Sequence, residues 1–532
     1  MAATAGELTL SSAIAYASYT IITATIFFIS YRLLLHPLSS YPGPLVAKLT
    51  GGYAGLYAIQ KRLHIIIWRD HERYGPVVRI GPDRLVFNTA TALKDIYQND
   101  RIVKSRHYLS TTRNNIVNVF TAIPNDLHRV KRKVIEPAIT DRAMRSFEPI
   151  MAGQIDIYLK QVLEASQSST PSPAVNMTEK TRHLGLDIVG QLAFGYDLGV
   201  QTREDNRFIM KAMYFGNFRG NIFHHLPGLS KLYINRIFDY VFYEAREKYW
   251  RLVETMIKSR VTLDRHAKPD LYSFVADTLT ANPDSIRGSH LWLEALFFLT
   301  AGGDTVATAI SAVFFYLARN RACYETLAAE IRSSFASASD IKTGPQLAGC
   351  AYLRACIHEA MRMSPPIATT LWREQDPTDD QPLVIDGHAV PKGTLFGVNP
   401  YALHHNKEYF PEPFAFRPER WLSSEGGGKT ARTHDAFAAF SVGPRACAGK
   451  AMAYLESSLV LAKTLWLFDF EAAPGKLAEV GGGRVGGTDG RDRPDEFQIM
   501  DIFTSRTDGP YLVFRPRGGV GEEIGGIPVI LI

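Results

Sequence analysis

Long helical runs, a few short strands and one apolar segment ahead of them are what this 532-residue sequence predicts. Leu10 to Ile29 is about the length of a bilayer core, and no charged residue lies between Glu7 and Arg32. Apolar residues recur at three- and four-residue spacing through Leu291–Tyr316 and Gly449–Phe468, the period of a helix with one buried face. V-V-R-I and R-L-V-F flank Gly81-Pro82-Asp83, which is the pattern of two short strands joined by a turn.

Composition bounds the class. With 46% hydrophobic and 21% charged residues, the chain can bury a large core. Its four cysteines form no C-x-x-C pair and no disulfide framework, which suits a reducing compartment. The net charge of +6 is spread without a block of one sign, so no nucleic-acid partner is expected. A mildly basic surface suits an acidic protein or anionic lipid instead.

Taken in order, the apolar segment reads as a retained anchor over residues 1–36. A cleaved signal opens with positive charge and ends at small residues, whereas this one opens with Glu7 and ends in Y-R-L-L-L-H-P. Arg32 and the basic residues after it put the following chain on the cytoplasmic side. Pro37, Pro42, Gly43 and Pro44 predict a stiff, non-helical hinge. A helical stretch through Trp68–Tyr74 precedes the hairpin, and Lys104–Leu127 reads as a long loop. His128 and Arg132, four apart, share one face of the helix that His128–Arg132 opens. Asn176–Lys258 is mainly helical with a break at His225–Gly228, and Phe208, Phe215, Phe218 and Phe223 are its apolar candidates for a pocket or the core.

The run Leu291–Tyr316 carries A-G-G-D-T at Ala301–Thr305. Two adjacent glycines cost about 1 kcal/mol each relative to alanine, which predicts a widened or kinked turn. Asp304 and Thr305 set an acid beside an alcohol; by themselves they also suit a helix start. Tyr352–Met363 is a helix with Glu359-x-x-Arg362, a pair common on helix surfaces. Leu395–Val398 and Tyr511–Phe514 read as strands. The glycine-rich 480–490 predicts flexibility.

The segment F-S-V-G-P-R-A-C-A-G, Phe440–Gly449, holds Cys447 between Gly443 and Gly449, just before a helix. A cysteine there feels the positive end of the helix dipole, which favours thiolate, the metal-binding form. Arg445 offers a donor fork suited to a carboxylate. The whole matches F-x-x-G-x-R-x-C-x-G and resembles the haem-binding loop of the cytochrome P-450 family. A-G-G-D-T, Glu359-x-x-Arg362 and F-R-P-E-R-W resemble further motifs of that family in its order. H-P-L-S-S-Y-P-G-P is similar to the hinge of its membrane-anchored fungal members, and the likeness spans roughly Tyr31–Arg517.

The resemblance implies a mainly helical fold with a small mixed β region. It implies a catalytic domain over 37–532, of which 518–532 is a tail past the family's usual end. Cys447 would be the axial ligand of haem b, with Phe440 beside the sulfur. Arg445, Arg373, His128 and Arg132 would meet the haem propionates. Thr305 and Asp304 would serve oxygen activation by hydrogen bonding and proton relay, and Glu359, Arg362 and Arg420 would form a structural triad. The implied reaction inserts one oxygen atom of O2 into a mostly apolar small molecule of fungal secondary metabolism. Electrons would come from NADPH through a P-450 reductase, with cytochrome b5 as a second donor and Lys131, Lys133 and Lys450 as docking residues. The implied location is the endoplasmic reticulum membrane, single-pass, facing the cytoplasm. A P-450-type isomerase or dehydratase and a thiolate-haem sensor are the alternatives; the first is disfavoured by Asp304–Thr305, the second by the lack of an output domain.

Overall fold

The computed structural model describes residues 10–111, 117–168, 172–231, 234–276, 286–287, 289–422, 427–518 and 523. Apart from Gly518 and Glu523, the expected tail lies outside the described residues. Helix α1 (Leu10–Ser30) leads into a wider turn at Tyr31–Leu35. Ile14, Tyr19 and Phe27 are each more than half exposed, and by length and hydropathy the helix passes as a membrane span.

The proline-rich segment that follows is non-helical as expected, but it is not loose. Buried Arg79 donates to the carbonyls of Arg32, Leu38 and Pro82, and Tyr41 Oη donates to Ala389 O at 2.7 Å. After α2 (Leu63–Tyr74) comes the predicted hairpin, β1 (Val77–Gly81) and β2 (Arg84–Phe87), antiparallel with Val78 opposite Val86. The next strand is β3 (Ile102–Lys104).

The helical body comprises α3 (Asn125–Ile135), α4 (Asp141–Gln167), α5 (Met177–Phe194), α6 (Phe208–His225), α7 (Tyr243–Val261), α8 (His290–Arg319) and α9 (Ala351–Met363). Ser289 caps α8 by accepting the Trp292 N–H. By length and hydropathy α8 passes as a membrane span, yet 61% of its apolar window is buried: it is the core helix. Its two glycines do not break it. A Cβ on Gly302 would lie 2.7 Å from Val189 Cγ2, and one on Gly185 would lie 2.8 Å from Gly303 O. The glycines let α5 and α8 touch backbone to backbone, and α8 stays α-helical throughout, which corrects both the expected widened turn and the helix-start reading.

Strands β4 (Arg373–Gln375) and β5 (Leu395–Val398) complete a five-stranded sheet in the order β1-β2-β5-β4-β3. β2 and β5 run parallel; the other neighbours are antiparallel. Helix α10 (Lys450–Leu467) leads into β6 (Phe468–Ala472), and the chain closes through hairpin β7 (Met500–Ile502)–β8 (Thr504–Arg506) and strand β9 (Tyr511–Pro516). The main apolar core joins α4, α5, α8, α9 and α10. Within it Glu456 of α10 is buried, with an Oε1 that has no hydrogen-bond partner, and burial pushes its carboxyl up to about 8.

The glycine-rich 480–490 is tied down rather than free. Arg484 N donates to Arg491 O at 2.8 Å, and the Arg491 guanidinium reaches Lys61 O and Ile499 O. The glycines here turn the chain tightly against α2, where Gly490 packs over Ile65.

Candidate active site

A cavity of about 540 Å³ lies between α8 and the Cys447 loop. Ala301 and Thr305 of α8 form one wall, Asn118–Phe120 another, and Ile367 and Leu371 a third. Helix α6 contributes Gly216, Asn217, Gly220 and His224. The four phenylalanines of that region are not on the wall: Phe223 is core, and Phe215 stacks on Phe242 at 4.2 Å. The apolar period of α6 points its bulky residues away and its small and polar ones inward. Phe503 and Thr504, at the tip of β7–β8, close the roof. Phe503 holds φ +88°, a strained conformation for a side-chain-bearing residue, and Asp501 Oδ1 accepts its N–H at 3.1 Å.

Cys447 sits on the floor of this chamber, deep in the protein yet open to the cavity. Its N–H donates to Phe440 O at 2.9 Å, closing the loop, and the Phe440 ring packs on Tyr454 at 5.0 Å. Gly443 is required: its φ is +77°, and a Cβ there would strike Tyr97 O at 2.1 Å. A Cβ on Gly449 would meet no protein atom within 4 Å and its φ is ordinary, so its smallness leaves room on the cavity side. Burial pushes the Cys447 thiol up, and it outweighs the Gly449 backbone, Arg132 and Lys450, which pull it down.

One end of the chamber gathers positive charge. His128, Arg132, Arg445 and Lys104 line it, and Arg373 stands directly opposite Lys104 across β3–β4. Like charges facing each other across a ladder are destabilising, and none of these five is paired with a carboxylate among the described residues. Arg445 donates to Ala122 O, Ile123 O and Asn125 Oδ1, and Arg132 to Ala446 O at 3.1 Å, so the guanidiniums are held at the rim by backbone oxygens. Burial and then the surrounding cations, Arg445 first, hold His128 down at about 3, so it is neutral. Such a cluster above a cavity-facing cysteine fits a flat group carrying two carboxylates. Lys104 was not legible from sequence, because its partner Arg373 lies 269 residues away and only the strand register joins them.

On the opposite wall the Thr305 hydroxyl lies at the cavity and donates to Ala301 O at 2.8 Å. Asp304 does not line the chamber. It is buried behind it, with Oδ1 3.3 Å from Arg182 Nε of α5. The expected triad is assembled beneath: Glu359 Oε2 accepts Arg362 Nε at 2.9 Å and Oε1 accepts Arg420 Nε at 3.0 Å. Two further partners went unread in the sequence. Trp421 Nε1 donates to Glu359 Oε2 at 2.9 Å, and His404 bridges Arg362 O to the Ala438 N–H just ahead of the Cys447 loop. A charged residue was missed as well: Glu294 lines the cavity and pairs with Lys131 at 3.1 Å. Lys131, with a side chain only 12% exposed, is thereby removed as a docking residue, while Lys133 and Lys450 are exposed.

The family model described as Cytochrome P-450 matches residues 42–479. The chain is 33% identical over 528 residues to cytochrome P-450 monooxygenase AKT7 of Alternaria alternata, covering 96% of this chain and 99% of that protein. It is 34% identical over 498 residues to cytochrome P-450 monooxygenase poxM of Penicillium oxalicum, covering 91% of each. With cytochrome P-450 monooxygenase apf7 of Gibberella fujikuroi the identity is 33% over 534 residues, covering 94% and 97%. A haem cofactor, a redox partner and a small-molecule substrate come with that likeness. Matched over most of its length and carrying its cysteine on the floor of a cation-rimmed chamber, the chain belongs to the cytochrome P-450 family of haem-thiolate monooxygenases.

Proposed function

We propose that the chamber holds haem b with Cys447 as its axial ligand and oxidises a mostly apolar small molecule of fungal secondary metabolism. The observation that carries this is the arrangement around one cavity: a cysteine on the floor, Lys104, Arg132 and Arg445 with neutral His128 at one end and Arg373 opposite Lys104, and Thr305 on the facing wall. Bound there, haem supplies dioxygen activation for oxygen insertion into a C–H or C=C bond. Arg132, Arg445, Arg373 and His128 hold its carboxylates, with the backbone oxygens they now touch as alternative acceptors. Phe440 shields the sulfur from water, and Gly443 and Gly449 shape the loop around it. Thr305 keeps one hydroxyl proton at the cavity, and Asp304 supplies protons to it from behind the wall. Glu359, Arg362 and Arg420 brace the loop through His404.

The catalytic unit is 37–532 behind an anchor at 1–36, facing the cytoplasm from the endoplasmic reticulum membrane. Electrons come from an NADPH-dependent reductase, with cytochrome b5 as a second donor, docking at Lys133 and Lys450. A carbon monoxide difference spectrum tests the core of this reading. The wild type should give the thiolate band and Cys447→Ala should lose it; an unchanged Soret band in that variant would overturn the assignment.

A further inference from the structure

The wall formed by Asn118–Thr121 lies in neither helix nor strand, yet Val119 and Phe120 face the chamber. One backbone bond, Ala122 N–H to Asn118 O at 3.0 Å, closes it into a turn, and side chains supply the rest of its support. Asn118 Oδ1 accepts the Phe120 N–H at 3.1 Å and the Thr121 N–H at 2.8 Å, which folds the segment on itself. Glu294 of α8, buried, accepts the Val119 N–H with both oxygens at 3.0 and 3.1 Å. One turn on, Phe297 stacks on Phe120 at 5.3 Å and 14°. Lys131 of α3 brings the counter-charge to Glu294 at 3.1 Å.

We propose that Glu294, with Lys131 as counter-ion, is the positioning residue of this wall: it pins Val119 and Phe120 to α8 and so governs how long a bulky, mostly apolar molecule stays in the chamber. The inference rests on the chamber being the substrate site of a haem enzyme. Within the segment, the Asn118 Oδ1 bonds fix its shape; its place against α8 is fixed by the Val119–Glu294 bonds and the Phe120–Phe297 stack, with a long Asn118 Nδ2 to Leu293 O contact of 3.5 Å beside them. A carboxylate accepting a buried N–H beside an ammonium is a charge-assisted contact, stronger than a neutral one. Losing it loosens the wall at Val119, while Arg445 still holds Ala122 O and Ile123 O and Lys104 still holds Phe120 O.

The test uses haem-loaded full-length protein and two iron-binding azoles, clotrimazole and imidazole, followed by stopped-flow dissociation. In Glu294→Ala/Lys131→Met, which leaves no unpaired charge, clotrimazole should leave about tenfold faster, the scale of one charge-assisted hydrogen bond. Imidazole, too small to need the wall, should leave at the wild-type rate. Glu294→Gln keeps an acceptor for Val119 N–H and should restore clotrimazole retention to within about threefold. A clotrimazole rate within twofold of wild type in the double variant, or an equal rise for imidazole, overturns the proposal while leaving the haem site intact. A wild type without the thiolate spectrum, or one in which neither azole shifts it, overturns the site assignment itself and this inference with it.

Discussion

Arg182 and Asp304 form a buried ion pair, Nε to Oδ1 3.3 Å, across the glycine seam that joins α5 to α8. Removing one member strands a charge in the core. Arg182→Met should therefore cost about 3–5 kcal/mol of stability. The double variant Arg182→Met/Asp304→Asn should recover a good part of it. A thermal-melting cycle over the four proteins reads the coupling, and additive losses would show that the two residues do not depend on each other.

Thr305→Ala should leave folding untouched, since alanine is the better helix former and the residue is only partly buried. NADPH consumption should continue, while product per NADPH falls and hydrogen peroxide per NADPH rises. A balance of the three quantities against wild type checks it; full coupling in the variant would remove Thr305 from the oxygen chemistry.

Arg420→Ala should yield little haem-loaded protein. Burial works against the Glu359 carboxylate, but Arg362 and Arg420 outweigh it and hold its pKa below the ordinary value. A depressed carboxyl contributes stability that is present above the unfolded-state pKa and lost as pH falls through the folded one. Wild type should therefore lose its thiolate spectrum on acidification below the ordinary carboxyl range. A folded, haem-loaded Arg420→Ala protein would remove the triad from the scaffold.

Glu456 has the opposite sign. Its carboxyl is raised to about 8 by burial, so between the ordinary value of 4.5 and 8 the folded chain binds a proton that the unfolded chain does not. Stability from this group falls as pH rises through that window, by up to about 1.4 kcal/mol per unit. Glu456→Gln should melt higher than wild type, and the gap should be wider at pH 8 than at pH 5.5. A gap that does not change with pH would mean that the carboxylate is solvated.

Truncation before Pro37 should give a protein that still binds haem but leaves the membrane fraction in carbonate. Retention of the truncated protein there would take the anchoring away from α1.

Much of the site was legible because its motifs are local. The loop around Cys447, A-G-G-D-T and Glu359-x-x-Arg362 each act over a few residues; the structure brings Cys447 and Thr305 to one cavity, with Asp304 behind its wall and the Glu359–Arg362 pair buried beneath. What was missed depends on register and helix phase. Lys104 meets Arg373 only through β3–β4 pairing, His404 reaches Ala438 through a loop, and Glu294 faces inward because α8 happens to present that turn. The glycine pair was misread for a related reason: propensity weighs a helix alone, whereas Gly302 and Gly303 are fitted to Val189 and Leu186 of another one.

The Arg79 contacts have a consequence for the membrane. By holding Arg32 O and Leu38 O on one guanidinium that also grips the Pro82 carbonyl, the sheet seizes the chain within a few residues of where α1 ends. A span rooted in this way acts as a mast stepped into a hull, not as a rope. With α1 in a bilayer, this root would set the tilt of the body, and one flank of the molecule would face the lipid in which apolar compounds dissolve.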